Sequence, residues 1–178
     1  MLPKVKLEPI SIEHAVEIQS LVTSHPDIAK FTRMPEPYPE NGAVDWINYV
    51  VPRHHSGDEY CFIIKNEAGH IVGCCGLIVD KQKNEAELGY WIGYKFWDQG
   101  FASAAIREAL HFAFDKMNFV RVHAHSLERN KTSQSVLEKN SFRFIGTKSN
   151  TNSKWNSDDQ IMFYEITIDE WRKLHLSC

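Results

Sequence analysis

The chain has 178 residues, of which 43% are hydrophobic and 24% are charged. This mixture is typical of a globular domain and argues against a disordered chain. There are 20 Lys and Arg residues against 23 Asp and Glu residues, so the formal net charge is -3. Because this balance offers no broad basic field, we expect neither nucleic acid nor an anionic membrane as a partner.

The four cysteines, Cys61, Cys74, Cys75 and Cys178, predict free thiols in a reducing compartment. They form no Cys-x-x-Cys pair, and adjacent cysteines on a strand would point to opposite faces, so neither a disulfide framework nor a zinc cluster is expected. The N-terminus lacks the apolar core of a signal peptide, and no apolar run approaches the roughly 20 residues that span a bilayer. We therefore expect a cytoplasmic protein. No repeat or linker-like break interrupts residues 1–178, which we interpret as one domain.

The first part of the chain predicts a short strand followed by two helices. The strand covers residues 5–7, and Ser11 is placed to cap the first helix. Prolines exclude a helix over residues 34–39, since each one forces its predecessor into an extended conformation. The second helix is expected over residues 43–51 and to stop at Pro52.

The remainder alternates strands and helices around one long amphipathic helix. Strands are predicted over residues 60–65, 70–79, 85–93, 120–126, 142–147 and 161–167, and helices from residue 101 onward and over 132–140. The long helix has one apolar stripe, formed by Ile106, Ala109, Leu110, Ala113, Phe114 and Met117. Elements in this order predict an α+β domain with one central mixed sheet.

The most informative segment is the strand, loop and helix around Gly100. A strand passes through a glycine-bearing loop directly into a helix whose first turn contains the small residues Ala102 and Ser103. Such a helix start presents unpaired backbone N–H groups and the positive end of the helix dipole, which favour a phosphate or pyrophosphate. Residues 97–103 contain no Arg or Lys and form no P-loop, so backbone groups would hold the anion. The alternative is that Gly100 only turns the chain and Ser103 only caps the helix.

A second cluster opens the helix expected over residues 132–140. The pattern Asn-x-x-Ser-x-x-Val/Leu-Leu-Glu-Lys-x-Gly-Phe is met at Asn130, Ser133, Val136, Leu137, Glu138, Lys139 and Phe142, with Ser141 in place of the glycine. The loop pattern Gln/Arg-x-x-Gly-x-Gly/Ala is met at Gly100 and Ala102, with Trp97 in its first position. Together these clusters resemble the GNAT superfamily of acetyl-CoA-dependent N-acetyltransferases, and most closely its ribosomal-protein N-terminal acetyltransferase branch. The resemblance extends over residues 4–167.

This resemblance implies a mostly antiparallel sheet that is splayed at its middle strand, with helices on both faces. It implies acetyl-CoA as co-substrate, and Asn130 and Ser133 would flank the thioester. Backbone groups of the middle strand would bind the pantetheine arm, at Tyr90, Trp91 and Ile92. The loop would hold the pyrophosphate, through Trp97, Asp98, Gln99, Gly100, Phe101, Ala102 and Ser103.

Acetyl transfer to an amine requires a neutral amine, a stabilised oxyanion and a leaving thiolate. Glu87 is the candidate general base, because strand alternation places it on one face with Trp91, although a solvated glutamate is the alternative. The backbone N–H of Trp91 or Ile92 is the candidate oxyanion donor. The thioester is already activated, so the chemistry needs no metal.

The proton for the leaving thiolate has no obvious donor. Many family members carry a tyrosine where Leu137 stands here, which leaves Ser133 or solvent for this role. Asn130 would orient the pantetheine amides. Helix capping is the alternative for both Asn130 and Ser133.

His123 and His125 share one face of a strand and suggest a metal site. The sequence shows no third ligand at a recognisable spacing, so packing, substrate contact or a reserve general base is the expected role. Residues 34–41 are expected to form one wall of the acceptor cleft.

The acceptor predicted by the resemblance is a protein N-terminal amine. A small amine (a polyamine, amino acid or aminoglycoside) is the alternative, and a non-catalytic CoA-binding sensor is the second class of function. The sequence leaves a monomer and a homodimer equally open.

Overall fold

The structure is a computed structural model that describes residues 1–175. Seven strands form one sheet in the order β1-β2-β3-β4-β5-β7-β6. The strands are β1 (Val5–Pro9), β2 (Glu59–Asn66), β3 (Ile71–Asp80), β4 (Glu85–Ile92), β5 (Arg121–Leu127), β6 (Arg143–Ser149) and β7 (Gln160–Thr167). Every neighbouring pair is antiparallel except β4 and β5, which run parallel. The expected mixed, mostly antiparallel α+β sheet is confirmed.

Helices cover both faces of this sheet. They are α1 (Ala15–Thr23), α2 (Asp27–Lys30), α3 (Gly42–Ser56), α4 (Phe101–His111), α5 (Lys131–Lys139) and α6 (Ile168–His175), and Phe112–Lys116 extends α4 as a π-helical turn. One core lies between the sheet and α4, and it contains the predicted stripe of Ile106, Ala109 and Leu110. A second core lies between the sheet and helices α1 and α3, around Ile18 and Ile47.

Alternation along the strands assigns neighbouring side chains to different cores. Cys75 and Leu88 belong to the core under α4, whereas Cys74 and Trp91 belong to the core under α1 and α3. Cys61, Cys74 and Cys75 are buried free thiols, as predicted. The fourth predicted free thiol, Cys178, lies outside the described residues.

The sheet is splayed at its middle, as the resemblance implies. β4 and β5 pair over only four positions, from Glu85 opposite Arg121 to Leu88 opposite Ala124. Beyond Leu88, β4 stays paired with β3 up to Ile92, while β5 stays paired with β7 up to Leu127. The two strands therefore separate at Gly89 and leave a gap between the halves of the sheet.

The predicted end of the second helix was wrong. Helix α3 passes through Pro52 and ends at Ser56, where Gly57 adopts a left-handed conformation with φ of 71°. The N–H of Asp58 donates to the carbonyl of Arg53 at 2.9 Å and closes the helix end. Proline removes one backbone hydrogen bond, but the packing of this helix on the sheet outweighs that loss, and the glycine sets the boundary. The short helix α2 and the last helix, α6, were not predicted.

Candidate active site

A cleft of about 1730 Å³ follows the gap between β4 and β5. It brings together predicted site residues from the middle strand, the loop before α4 and the start of α5. Those lining it are Glu87, Tyr90, Trp91, Ile92, Trp97, Asp98, Gly100, Phe101, Ala102, Ser103, Asn130 and Ser133. Gln99 does not line the cleft, and its side-chain amide donates to the carbonyl of Lys95 at 2.9 Å.

The start of α4 forms one end of the cleft. Gly100 is the residue before the first helical turn and has φ of 82°, a left-handed conformation. The backbone N–H groups of the first turn have no partner within the helix, and the helix dipole adds positive potential there. With Ala102 and Ser103 lining this end, the geometry suits an anion held by backbone groups.

Gly100 also has a structural reason to be glycine. A Cβ atom built on it would lie 3.1 Å from Cδ of Pro3 and 3.4 Å from Cδ2 of Leu2. The left-handed conformation and the close approach of the N-terminal residues each favour glycine, whatever ligand the loop binds. A bulky residue here would therefore disturb the loop as well as any ligand, and a single substitution at Gly100 does not separate the two effects.

The open edge of β4 exposes alternate backbone groups to the cleft. The N–H of Gly93 donates to the carbonyl of Val72 at 2.8 Å, so the backbone groups of Gly93 and Trp91 point toward β3. Those of Tyr90 and Ile92 point to the open side, where the indole Nε1 of Trp97 donates to the carbonyl of Ile92 at 2.7 Å. Of the two predicted oxyanion donors, the N–H of Ile92 therefore faces the gap and that of Trp91 does not.

Tyr90 contributes its side chain to the cleft as well as the backbone groups predicted from the sequence. Its hydroxyl lies 2.9 Å from Oγ of Ser133, whose N–H donates to Oδ1 of Asn130 at 3.1 Å. Burial raises the pKa of Tyr90 to about 12, so the phenol stays protonated at neutral pH. Leu137, the position of the missing tyrosine, is fully buried. A phenol thus reaches this end of the cleft from β4 instead of from α5.

Glu87 lies on the opposite face of β4, beside two histidines of β5. The register places Glu87 directly opposite His123, and Oε1 of Glu87 lies 3.6 Å from Nδ1 of His125. One ligand atom from each of the three side chains lies within 4.8 Å of the others. The third side chain of this group, Glu87, comes from a neighbouring strand, so no spacing in the sequence around the histidines could have indicated it.

Arg33 adds a cation to this group. Its Nη2 donates to Oε1 of Glu87 at 2.5 Å and lies 3.3 Å from Nδ1 of His125. Burial lowers the pKa of both His123 and His125, which favours neutral imidazoles at pH 7. Since arginine can only donate, Nδ1 of His125 accepts and its proton is assigned to Nε2. Nothing in the sequence near Arg33 indicated this contact.

Lys154 holds the segment that follows α2. Its Nζ donates to the backbone carbonyls of Ala29 at 2.6 Å, Thr32 at 2.9 Å and Met34 at 2.5 Å. The indole of Trp155 donates to the carbonyl of Lys30 at 3.0 Å. The connection between β6 and β7 is thereby fastened to the segment after α2. Met34 lines the cleft, as expected for residues 34–41.

An open sheet, a helix start suited to an anion and a carboxylate across the gap are thus found together, in the arrangement that the resemblance implies for an acetyltransferase fold. An acetyltransferase (GNAT) domain model matches residues 4–143. The chain belongs to this family of N-acetyltransferases. Within residues 1–175, no helix is both long enough and apolar enough to cross a membrane.

Relatives and solved structures agree with this assignment. The protein described as "Uncharacterized N-acetyltransferase p20" of Bacillus licheniformis is 27% identical over 145 residues, which is 80% of this chain and 81% of the relative. The ribosomal L7/L12 α-N-protein acetyltransferase RimL, solved with coenzyme A, superposes with a TM-score of 0.85 at 17% identity, covering 94% of this chain and 96% of that one. Spermidine N-acetyltransferase of Vibrio cholerae, solved with CoA and spermine, gives 0.82 at 18% identity, covering 95% and 98%.

Proposed function

We propose that this protein transfers the acetyl group of acetyl-CoA to a primary amine by direct attack on the thioester, and that the acceptor is the N-terminal amine of a protein. The observation that carries the proposal is the arrangement along one cleft. An anion site at the start of α4, free backbone groups of β4 and the carboxylate of Glu87 follow one another through the gap. Groups for binding the coenzyme, stabilising the oxyanion and deprotonating the amine therefore lie along one cleft.

On the coenzyme side, the first turn of α4 holds the pyrophosphate, and the backbone of Tyr90 pairs with the pantetheine amides. This assignment leaves the N–H of Ile92 to stabilise the oxyanion. Ser133 donates a proton to the leaving thiolate and takes one from the Tyr90 phenol, which lies 2.9 Å away, and solvent returns the proton to the phenol. Asn130 holds the backbone of Ser133 and fixes the start of α5.

On the acceptor side, Glu87 takes the proton from the amine, directly or through a water molecule. Burial lowers the pKa of the neighbouring His125, which favours a neutral imidazole that can accept a hydrogen bond from the same amine. Glu87 and the Tyr90 side chain point to opposite faces of β4. The amine and the coenzyme therefore reach the gap from opposite faces of the sheet.

The likeness to RimL supports a protein N-terminus, and the likeness to the spermidine enzyme keeps a polyamine as the second candidate. A cytoplasmic location is part of the proposal, supported by the three described free thiols. So is the organisation of residues 1–178 as one domain, supported by the single sheet. A monomer and a homodimer are both compatible with this site.

The test is an acceptor screen with acetyl-CoA and the purified chain. The panel contains short peptides with free N-termini, the same peptides with blocked N-termini, spermidine, amino acids and an aminoglycoside, with release of the CoA thiol as the readout. Free N-termini should be acetylated and blocked ones should not. Faster turnover of spermidine than of the free peptides would make a polyamine the acceptor instead. Binding of acetyl-CoA without turnover of any amine would support the CoA-binding sensor instead.

A further inference from the structure

Arg33 occupies the acceptor end of the cleft. A single guanidinium nitrogen, Nη2, lies 2.5 Å from Oε1 of Glu87 and 3.3 Å from Nδ1 of His125. These are two of the acceptor atoms that the proposed function gives to the incoming amine. A cation of the chain itself therefore stands where the substrate's cation would arrive.

The contact is suited to exchange. The Glu87 side chain is 22% exposed and that of Arg33 is 55% exposed, so the carboxylate is sheltered while the guanidinium reaches it from solvent. A sheltered carboxylate needs a cationic partner. Only one nitrogen of Arg33 makes the contact, and the guanidinium is itself largely exposed. The ion pair therefore contributes little to stability, and a second cation can replace Arg33.

The backbone around Arg33 is held independently of its side chain. Lys154 binds the carbonyls of Thr32 and Met34, the residues on either side of Arg33. Removal of the guanidinium from Glu87 therefore requires rotation of one long side chain and no movement of the segment.

We infer that Arg33 is a displaceable substitute for the ammonium group of the acceptor. It caps Glu87 and His125 in the free protein and is displaced when a cationic primary amine enters. An ammonium group offers N–H donors and a positive charge, the same features that Arg33 presents to these two atoms. Arg33 is thus a positioning residue that sets acceptor affinity by competition. This inference rests on the proposed function, which identifies the amine as the ligand of Glu87.

The first test compares three variants in steady-state kinetics with the best acceptor of the panel. Arg33→Met keeps the aliphatic stem and removes the charge, and its KM for the acceptor should fall about two- to fivefold while the KM for acetyl-CoA stays unchanged. Arg33→Lys keeps a cation and should restore a KM near that of the wild type. Lys30→Met is the matched control, because it removes a nearby cation that pairs with Asp27 and not with Glu87. An unchanged or raised acceptor KM in Arg33→Met would overturn the inference.

A second measurement distinguishes competition from a structural role. Methylguanidinium, added to Arg33→Met, should compete with the acceptor and raise its KM toward the wild-type value, and it should act more weakly on the wild type. A merely structural arginine would give no such competition, and that result would also overturn the inference.

A third measurement requires no turnover. Calorimetric titration of the CoA-loaded protein with spermidine and with a free N-terminal peptide should show tighter binding to Arg33→Met by the same factor as the KM change. If binding tightens but acetyl-CoA is never consumed, the inference stands and the proposed function fails. If amines are acetylated without any change in binding or KM, the inference fails and the proposed function stands. If neither ligand binds either protein, the inference fails.

Discussion

The side of the cleft proposed for the coenzyme and the side proposed for the acceptor are built differently. The coenzyme side consists of backbone groups at the start of α4 and along β4, two segments joined by one short loop. The acceptor side consists of side chains from three separate segments, with Arg33, Glu87 and His125 meeting through the tertiary fold. The backbone groups are set by local sequence, whereas the three side chains come together only when the sheet has formed.

Backbone groups would thus bind the co-substrate, which is the same throughout a family, and side chains would bind the acceptor, which varies between its members. A backbone site depends on chain conformation and tolerates many side chains, so it suits a co-substrate common to a whole family. A side-chain group changes with each substitution, so it can distinguish one amine from another. Variants on one side should accordingly change the binding of acetyl-CoA, and variants on the other side should change the binding of the acceptor.

The largest effect is expected at Glu87. Glu87→Gln keeps size and hydrogen bonding but removes the base, so kcat should fall by roughly 10²- to 10⁴-fold with little change in acetyl-CoA binding. Glu8→Gln is the control, because Glu8 is also a strand glutamate in an ion pair, here with Lys65, and lies on β1 at the edge of the sheet. A Glu87→Gln enzyme within about threefold of wild type would remove Glu87 from the mechanism and transfer attention to His123 and His125.

A smaller effect is expected for the proton donor. Ser133→Ala removes the group proposed to protonate the thiolate, and Tyr90→Phe removes its hydrogen-bonding partner at 2.9 Å. Each should lower kcat by about 10²-fold or less, because solvent can supply the proton. The double variant should lose little more than Ser133→Ala alone, since the two act as one unit. Fully additive losses would show that Tyr90 and Ser133 act independently.

Lys154→Met should affect stability and the acceptor side together. It removes three hydrogen bonds from a charged donor to the carbonyls of Ala29, Thr32 and Met34, so unfolding free energy should fall by about 2 kcal/mol. The acceptor KM should rise and the acetyl-CoA KM should not. Lys83→Met is the matched control, because Lys83 is exposed and pairs with Asp80 at the surface, so its loss should leave the unfolding free energy nearly unchanged. Equal denaturation midpoints for the two variants would contradict this assignment.

The smallest effect is expected from a pair of glycine variants. Gly69 and Gly100 both have φ of 82°, but no heavy atom lies within 4 Å of a Cβ built on Gly69, whereas Pro3 lies 3.1 Å from one on Gly100. Alanine at either position should cost about 1 kcal/mol for the left-handed conformation. Only Gly100→Ala should also weaken acetyl-CoA binding by calorimetry. Equal acetyl-CoA affinity in both variants would show that the start of α4 does not hold the pyrophosphate.

Most of the fold could be predicted because its signals are local. The stripe of Ile106, Ala109 and Leu110 lies within one segment and predicted the buried face of its helix correctly. The continuation of α3 through Pro52 to Ser56 could not be predicted, because it depends on tertiary packing and on Gly57. The short helix α2 has a single turn, too little for a periodic pattern to identify.

The site divides in the same way. The loop at Gly100 and the cluster at Asn130 follow local patterns, and the cleft brings both together. The contact of Arg33 with Glu87 spans 54 positions, and that of Lys154 with Ala29 spans 125. No spacing rule links residues so far apart. The phenol of Tyr90 was missed for another reason, since only its backbone was assigned a role.

Strand β4 is an interior strand over its first half and an edge strand over its second. Edge strands accept another extended chain by backbone pairing, which is how peptides add to sheets and how sheets aggregate. Here the free edge from Gly89 to Ile92 lines the cleft. A slender ligand with amide groups, such as the pantetheine arm of the proposed co-substrate, can pair with it. The bound coenzyme would then act as an added strand without being a peptide.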